Sequence, residues 1–433
     1  MTIARAFGIL AGLLLTIAAL AAGDLTPDAI NARIQKYRTA DVTLTVTDSS
    51  GRSLANAPVV IRQTAHKFLF GSNIFALKPE DASDSQKGYQ KRYTDLLNFG
   101  TLPFYWGAYE RTEGQTRADR LAAMADWCNA HGIRTKGHPL CWQQVFPAWL
   151  NDRSIMDIEK LQIARIAREV ATFSGRIDTW DVVNEAVVMP KFTGETTRIP
   201  ELCDKVGRLE LLTQCFNAAR KANPKATLLL NDYDTGPQYE KLLRECLDAG
   251  LPIDVIGIQC HQHTGVWGGR HTWDICERFA KFGKPLNFTE ATITSGKIRN
   301  DVRWHGPRHD DWPSTPEDEK RQEQQVVEFY TTLFSHPAVA AITWWDFSDA
   351  GAWLGAPAGL IRADMTPKPA YESLLKKIKG DWWTGEVKAT TDGAGKVTFH
   401  GFLGQYKVEA DKTAATCEVL MPGTAEAKAT VGR

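Results

Sequence analysis

A closed eight-stranded β/α barrel, with small β-strand modules at its N- and C-terminal ends, is the architecture this 433-residue sequence predicts. Three observations lead there. Short apolar runs alternate with amphipathic segments through the middle of the chain, the rhythm of repeated βα units around a parallel sheet. Eight such runs occur, and no G-x-G-x-x-G follows any of them, which argues against an open dinucleotide-binding sheet. Polar residues close six of the runs, at the ends where a barrel opens its reactive face.

Taken in order, residues 1–22 read as a signal peptide. Arg5 supplies the positive flank, 6–20 the apolar stretch, and Ala19-Leu20-Ala21 a small-residue cleavage site. The expectation is a secreted or periplasmic protein, with an uncleaved membrane anchor as the alternative. Residues 24–65 form an N-terminal β module, in which 41–64 alternate polar and apolar around Asp48-Ser49-Ser50-Gly51 and predict a hairpin. The barrel follows over 66–382, with strands expected at 68–70, 100–104, 134–137, 179–183, 227–230, 255–259, 286–288 and 341–345. A C-terminal β module occupies 383–433, and the two end modules could pack as one small sandwich.

Composition narrows the partners. The 51 basic and 51 acidic residues cancel, so nothing favours nucleic acid or an anionic membrane. Fourteen tryptophans suit a sugar ligand, because an indole offers a flat apolar face and one N–H edge. Eight cysteines contain no C-x-x-C pair, and His305, His309, Asp310 and Asp311 match no ligand spacing, so no metal is expected. Export would permit disulfides, with Cys203 and Cys215 as one loop-sized candidate pair.

The residues at the strand ends carry the chemistry. His138 closes the third strand, Asn184-Glu185 the fourth and Asn231-Asp232 the fifth. Gln259 and His261 close the sixth, Thr289-Glu290 the seventh and Trp345-Asp346 the eighth. Strands 4 and 7 stand on opposite sides of a barrel mouth, so Glu185 and Glu290 face each other across it. Glycoside hydrolysis needs such a pair, one acid for the leaving oxygen and one carboxylate behind the anomeric carbon. A separation of about 5–5.5 Å would give retention of configuration. Asn184 could hold the hydroxyl beside the reacting carbon, and His261 could keep Glu290 ionised. This chemistry requires no metal and no organic cofactor.

The motifs GHPLCW (137–142), FPAWL (146–150), WDVVNEA (180–186), NDYD (231–234), IDVIGIQCH (253–261), TEATI (289–293), ITWWDFSDAGAW (342–353) and PKPAY (367–371) run in one order. In them the chain resembles glycoside hydrolase family 10, the endo-β-1,4-xylanases. The resemblance implies Glu185 as acid/base and Glu290 as nucleophile. It places His138, Trp142, Asn184, Gln259 and His261 around the sugar, with Trp345 and Trp353 as floor and wall. It implies xylan, as polysaccharide or oligosaccharide, as the first substrate. The sequence departs from the family where a Glu-Asn pair and a Lys usually grip xylose hydroxyls. Phe104, Tyr105 and Ala108 stand there, and Gln143 replaces the His that follows the cleft Trp. Two alternatives follow: the same mechanism on another β-glycan or glycoside, or a carbohydrate-binding surface protein without turnover. The long charged stretch 297–319 is expected as the loop after strand 7, either a lid or a solvated loop.

Overall fold

The computed structural model describes residues 23–193, 196–304 and 306–432. Residues 1–22, expected as a signal peptide, and His305 lie outside the described residues. Among the described residues no helix is long and apolar enough to cross a membrane.

Eight parallel strands close into a barrel in the order β10-β3-β4-β5-β6-β7-β8-β9. They are β3 (Leu69–Asn73), β4 (Phe99–Pro103), β5 (Arg134–His138), β6 (Thr179–Asn184), β7 (Thr227–Asp232), β8 (Val255–Gln262), β9 (Leu286–Ile293) and β10 (Val339–Trp344). All eight expected strands are present, with ends displaced by up to five residues. Every residue of β6 and β9 is buried, because helices cover the outside while side chains fill the inside. Such strands read as near-continuous apolar runs. The polar residues that interrupt them are therefore conspicuous. Gly137 shows how tightly the interior is filled: a Cβ there would lie 2.1 Å from the Trp180 ring. Only glycine lets that indole cross β5.

The two chain ends build a single β-sandwich. One sheet runs β12-β1-β15 and the other β11-β2-β13-β14. The strands are β1 (Thr39–Asp48), β2 (Pro58–His66), β11 (Val387–Thr390), β12 (Lys396–Phe402), β13 (Gly404–Ala410), β14 (Thr413–Val419) and β15 (Gly423–Val431). Val42, Leu44 and Val46 of one sheet share a core with Ile61, Tyr406 and Val408 of the other. The expected hairpin over 41–64 is thus corrected. β1 pairs with β12 and β15, whereas β2 pairs with β11 and β13, so consecutive strands cross between sheets. Alternation exposes which face of a strand is buried but says nothing of its neighbour. The N-terminal module also opens with a helix, Pro27–Arg38, capped by the Thr26 side chain and started by a proline.

Barrel and sandwich meet across an aromatic seam. Trp382 stacks on Phe334 at 4.4 Å, and His66 packs edge-on against Phe70 and Trp383. Arg38 ties the seam by donating to the carbonyls of Phe334, His336 and Val339. The suggested Cys203–Cys215 disulfide is not formed. All eight cysteines are free and buried. Cys215 instead lies against Cys141, and that contact, with burial, raises its thiol well above the ordinary range. Seven of the eight sit in helix–barrel packing and Cys417 in the sandwich core, which explains the residue type without a bridge.

Candidate active site

The site is assembled from the C-terminal ends of the barrel strands. β6 delivers Asn184 and then Glu185, whose backbone turns to a φ of 56°. A non-glycine residue in that left-handed region is uncommon, and it is held there by its N–H donating to the Asn231 carbonyl at 2.8 Å. The reversal aims the Glu185 carboxyl into the mouth. Gln143 Nε2 donates to its Oε2 at 2.9 Å, and Gln259 Nε2 approaches Oε1 at 3.3 Å. Burial pushes this carboxyl up to about 8. The charges of Glu290 and Asp232 add to the rise, while the nearby Trp142 indole and the Gln259 amide oppose it. The Trp142 N–H is buried and makes no aligned hydrogen bond.

Glu290, on β9, has the opposite environment. Asn231 Nδ2 donates to Oε1 at 2.9 Å, and His261 Nε2 lies 3.0 Å from Oε2. His138 Nε2 stands 3.9 Å from Oε1. Burial alone would raise this carboxyl, but His138, His261 and Lys136 together outweigh it and hold it below its ordinary value. Two buried carboxyls in one cleft are thereby driven apart, one toward the acid and one toward the carboxylate.

A polar lattice joins them. Asn184 Oδ1 accepts from Asn231 Nδ2 at 2.7 Å and from Gln259 Nε2 at 3.1 Å. Thr289 donates to Asn231 Oδ1 at 2.6 Å, which fixes that amide's orientation. Beneath them, the buried Asp181 Oδ2 takes Lys136 Nζ at 2.6 Å and His138 Nδ1 at 2.7 Å. This settles which ring nitrogen of His138 faces Glu290. Replacing Lys136 with Met would leave Asp181 charged and uncompensated in the barrel interior. The expected loss is about 3–5 kcal/mol of folding stability by denaturant titration, partly recovered by Lys136→Met with Asp181→Asn. A loss below about 1 kcal/mol in the single variant would contradict this account of the pair.

Aromatic rings surround the lattice. Trp345 packs edge-on against His138 at 5.5 Å and His261 at 6.2 Å. Trp353 lies 4.7 Å from His261. Trp142 and Tyr105 meet at 5.5 Å, and Tyr105 also abuts His138 and Phe75. All nine residues expected at the site thus converge on one mouth. Phe104 does not join them. Its ring is fully buried between Phe173, Trp180 and Tyr109, so the expected aromatic replacement of the polar grip reduces to Tyr105, with Ala108 partly exposed. Adjacent residues leaving a strand point to opposite sides, and only one can face the cleft.

Several participants were given no role from sequence, although Asn231 and Asp232 were noted as closing the fifth strand. Burial pushes Asp232 up to about 7, against the pull of backbone N–H groups. Asp181 lies inside the 180–186 motif but was given no role there, and Lys136 and Phe75 carried no signal of their own. Tyr233 keeps half its surface exposed close to Glu185. The loop after β9, expected as either a lid or a solvated loop, exposes most of its described residues to solvent and is tied down at several points by hydrogen bonds. The Trp312 N–H donates to the Lys297 carbonyl, Ser295 N–H to Pro357, and His309 N–H to Leu354. Trp304, in its described part, lies against Trp353 and His261 at the mouth. Among the described residues no group of three or more His, Cys, Asp or Glu side chains gathers as a metal site.

A parallel barrel with two carboxyls of opposed proton affinity at the ends of its fourth and seventh strands defines the glycosidase class of barrel enzyme. The chain belongs to glycosyl hydrolase family 10, whose model matches residues 64–377. Among curated proteins it is 26% identical to anti-sigma-I factor RsgI6 of Acetivibrio thermocellus, over 88% of this chain and 46% of that protein. It is 28% identical to endo-1,4-beta-xylanase 3 of Hypocrea jecorina, over 62% of this chain and 72% of that protein. Endo-1,4-beta-xylanase 1 of Arabidopsis thaliana matches at 24% identity, over 89% of this chain and 38% of that protein. The chain therefore spans less than half the length of the first and third of these relatives. Among solved structures, xylanase 10B from Thermotoga maritima superimposes with a TM-score of 0.61 at 23% identity, over 72% of this chain and 96% of that one. That likeness concerns the fold.

Proposed function

We propose that this chain is an exported retaining glycosidase acting on a β-linked polysaccharide or its fragments, xylan first. The observation that carries the reading is the divergence of the two carboxyls, Glu185 raised to about 8 and Glu290 lowered. In the first step Glu185 gives its proton to the glycosidic oxygen while Glu290 attacks the anomeric carbon from the opposite face. The leaving sugar departs as an alcohol, and a covalent glycosyl-enzyme remains. Esterification removes the Glu290 charge, which lowers the proton affinity of Glu185 and readies it as a base. Water, deprotonated by Glu185, then attacks the anomeric carbon and releases Glu290. Two inversions give net retention.

The surrounding groups support these roles. Asn184 Oδ1 is occupied by two amide donors, so its Nδ2 is the end left for a sugar hydroxyl. His138, Trp142, Gln259, His261, Trp345 and Trp353 line the same mouth. The xylanase relatives favour xylose as the sugar, and the leader motif at 1–22 favours a periplasmic or extracellular location. Because kcat/KM reports the free enzyme, its basic limb should fall near pH 8 as Glu185 loses its proton. Glu185→Gln should abolish that limb; a limb that persists would assign it to another group.

A panel of β-1,4-xylan, arabinoxylan, mannan and β-glucan, read by reducing-sugar release, tests the substrate. Release from xylan is expected. Activity confined to an aryl glycoside would mean that Tyr105 and Ala108 have turned the site toward another sugar, since lost hydroxyl contacts discriminate strongly. A second reading keeps the barrel as a carbohydrate-binding surface protein that binds glycan without useful turnover. Tight binding with no hydrolysis would select it.

A further inference from the structure

We propose that Trp304, on the loop after β9, is a sugar-stacking residue that extends the cleft beyond the two carboxyls and binds a further pyranose unit of a β-linked chain. The inference rests on the glycosidase reading above. Its ring lies 5.6 Å from Trp353 and tilts 38° to it, 6.4 Å from His261, and edge-on to His263 at 5.4 Å. His261 in turn touches Glu290. Trp304 is therefore one side chain removed from the reacting centre, and the aromatic surface runs without a break from Trp345 through His261 and Trp353 to it. Of the rings in this series it alone is well exposed, at 37%.

An indole with that much open surface at a cleft mouth is held there by structure. Within the loop Arg299 pairs with Asp301 and Asp311, and Arg308 ties the loop to the Ala352 carbonyl. The Ala352 contact lies beside Trp353 in sequence, so the two indoles are set by one framework. His263, beneath the pair, is buried and held neutral by desolvation, with the neighbouring His261 adding to the effect. His263 thus adds no charge beneath the two indoles. A pyranose presents C–H groups on its faces and hydroxyls at its rim, which matches an apolar plate in a polar cleft.

The test compares the full-length chain with Trp304→Ala and Trp304→Phe. The substrates are p-nitrophenyl β-xyloside, which carries one sugar, and xylohexaose. Covering one pyranose face corresponds to about a tenfold effect. The fall in kcat/KM caused by Trp304→Ala should therefore be about tenfold larger on the hexamer than on the aryl xyloside, expressed mainly in KM. Trp304→Phe should restore most of it. An equal loss on both substrates would assign Trp304 to loop packing and overturn the proposal, as would no loss on either. Should the wild-type chain hydrolyse neither, the reading of xylan as substrate fails separately, and xylohexaose binding read by tryptophan fluorescence decides the matter. Weaker binding in Trp304→Ala then sustains the inference. Equal binding, or none in the wild type, overturns it.

Discussion

Replacing Glu290 with Ala is expected to reduce turnover by at least about 10⁴-fold, because it removes the covalent route that carries the reaction. The residues around the vacancy remain. Asn231, His138 and His261 converge on that carboxylate from three strands, and none depends on it for its own placement: Asn231 is held by Thr289 and Asn184, and His138 by Asp181. A small anion should therefore enter the emptied space. Azide is expected to restore release from an activated aryl glycoside and to yield a glycosyl azide of inverted configuration, identified by NMR. Glu185 still stands on the opposite side, which leaves attack open only from the face Glu290 occupied. Full activity in Glu290→Ala would end its assignment as nucleophile.

The second large effect concerns Glu185. Glu185→Ala should cost about 10²–10⁴-fold on substrates whose leaving group is an unactivated sugar hydroxyl. A dinitrophenyl leaving group departs without a proton, so its release should suffer far less in the first step. The contrast follows from one arrangement: burial keeps Glu185 protonated to about pH 8, and amide donors from Gln143 and Gln259 hold it without supplying a charge. A histidine in place of Gln143 could titrate and disturb this; an amide cannot. Equal losses on both substrates would rule out Glu185 as the acid.

The barrel and much of its mouth were legible in the sequence because the physics there is local. A strand buried on both faces must be apolar, so Glu185, Gln259 and Glu290 stand out where an apolar run ends. The partners that tune them were less legible. Lys136 and Asp181 lie inside strands β5 and β6, and their pairing across 45 residues follows only once those two strands are set side by side. The sandwich strands were visible but their pairing was not, since β1 joins β12 and β15 from the far end of the chain. Phe104 and Tyr105 illustrate a finer limit. Both are aromatic at one strand end, and their composition could not say that one fills the core while the other faces the cleft. The departures at Tyr105, Ala108 and Gln143 bear on which sugar is bound and leave the two-carboxylate arrangement intact.

The central claim is that Glu290 becomes covalently attached to the sugar. It is tested most directly by treating the full-length chain with a 2-deoxy-2-fluoro-β-xyloside bearing a dinitrophenyl leaving group, followed by peptide mass spectrometry. The account predicts one equivalent of label on the peptide spanning 286–293, located at Glu290 and absent from Glu290→Ala. Label at another carboxyl, or steady hydrolysis of the unfluorinated compound with no label at all, would contradict it.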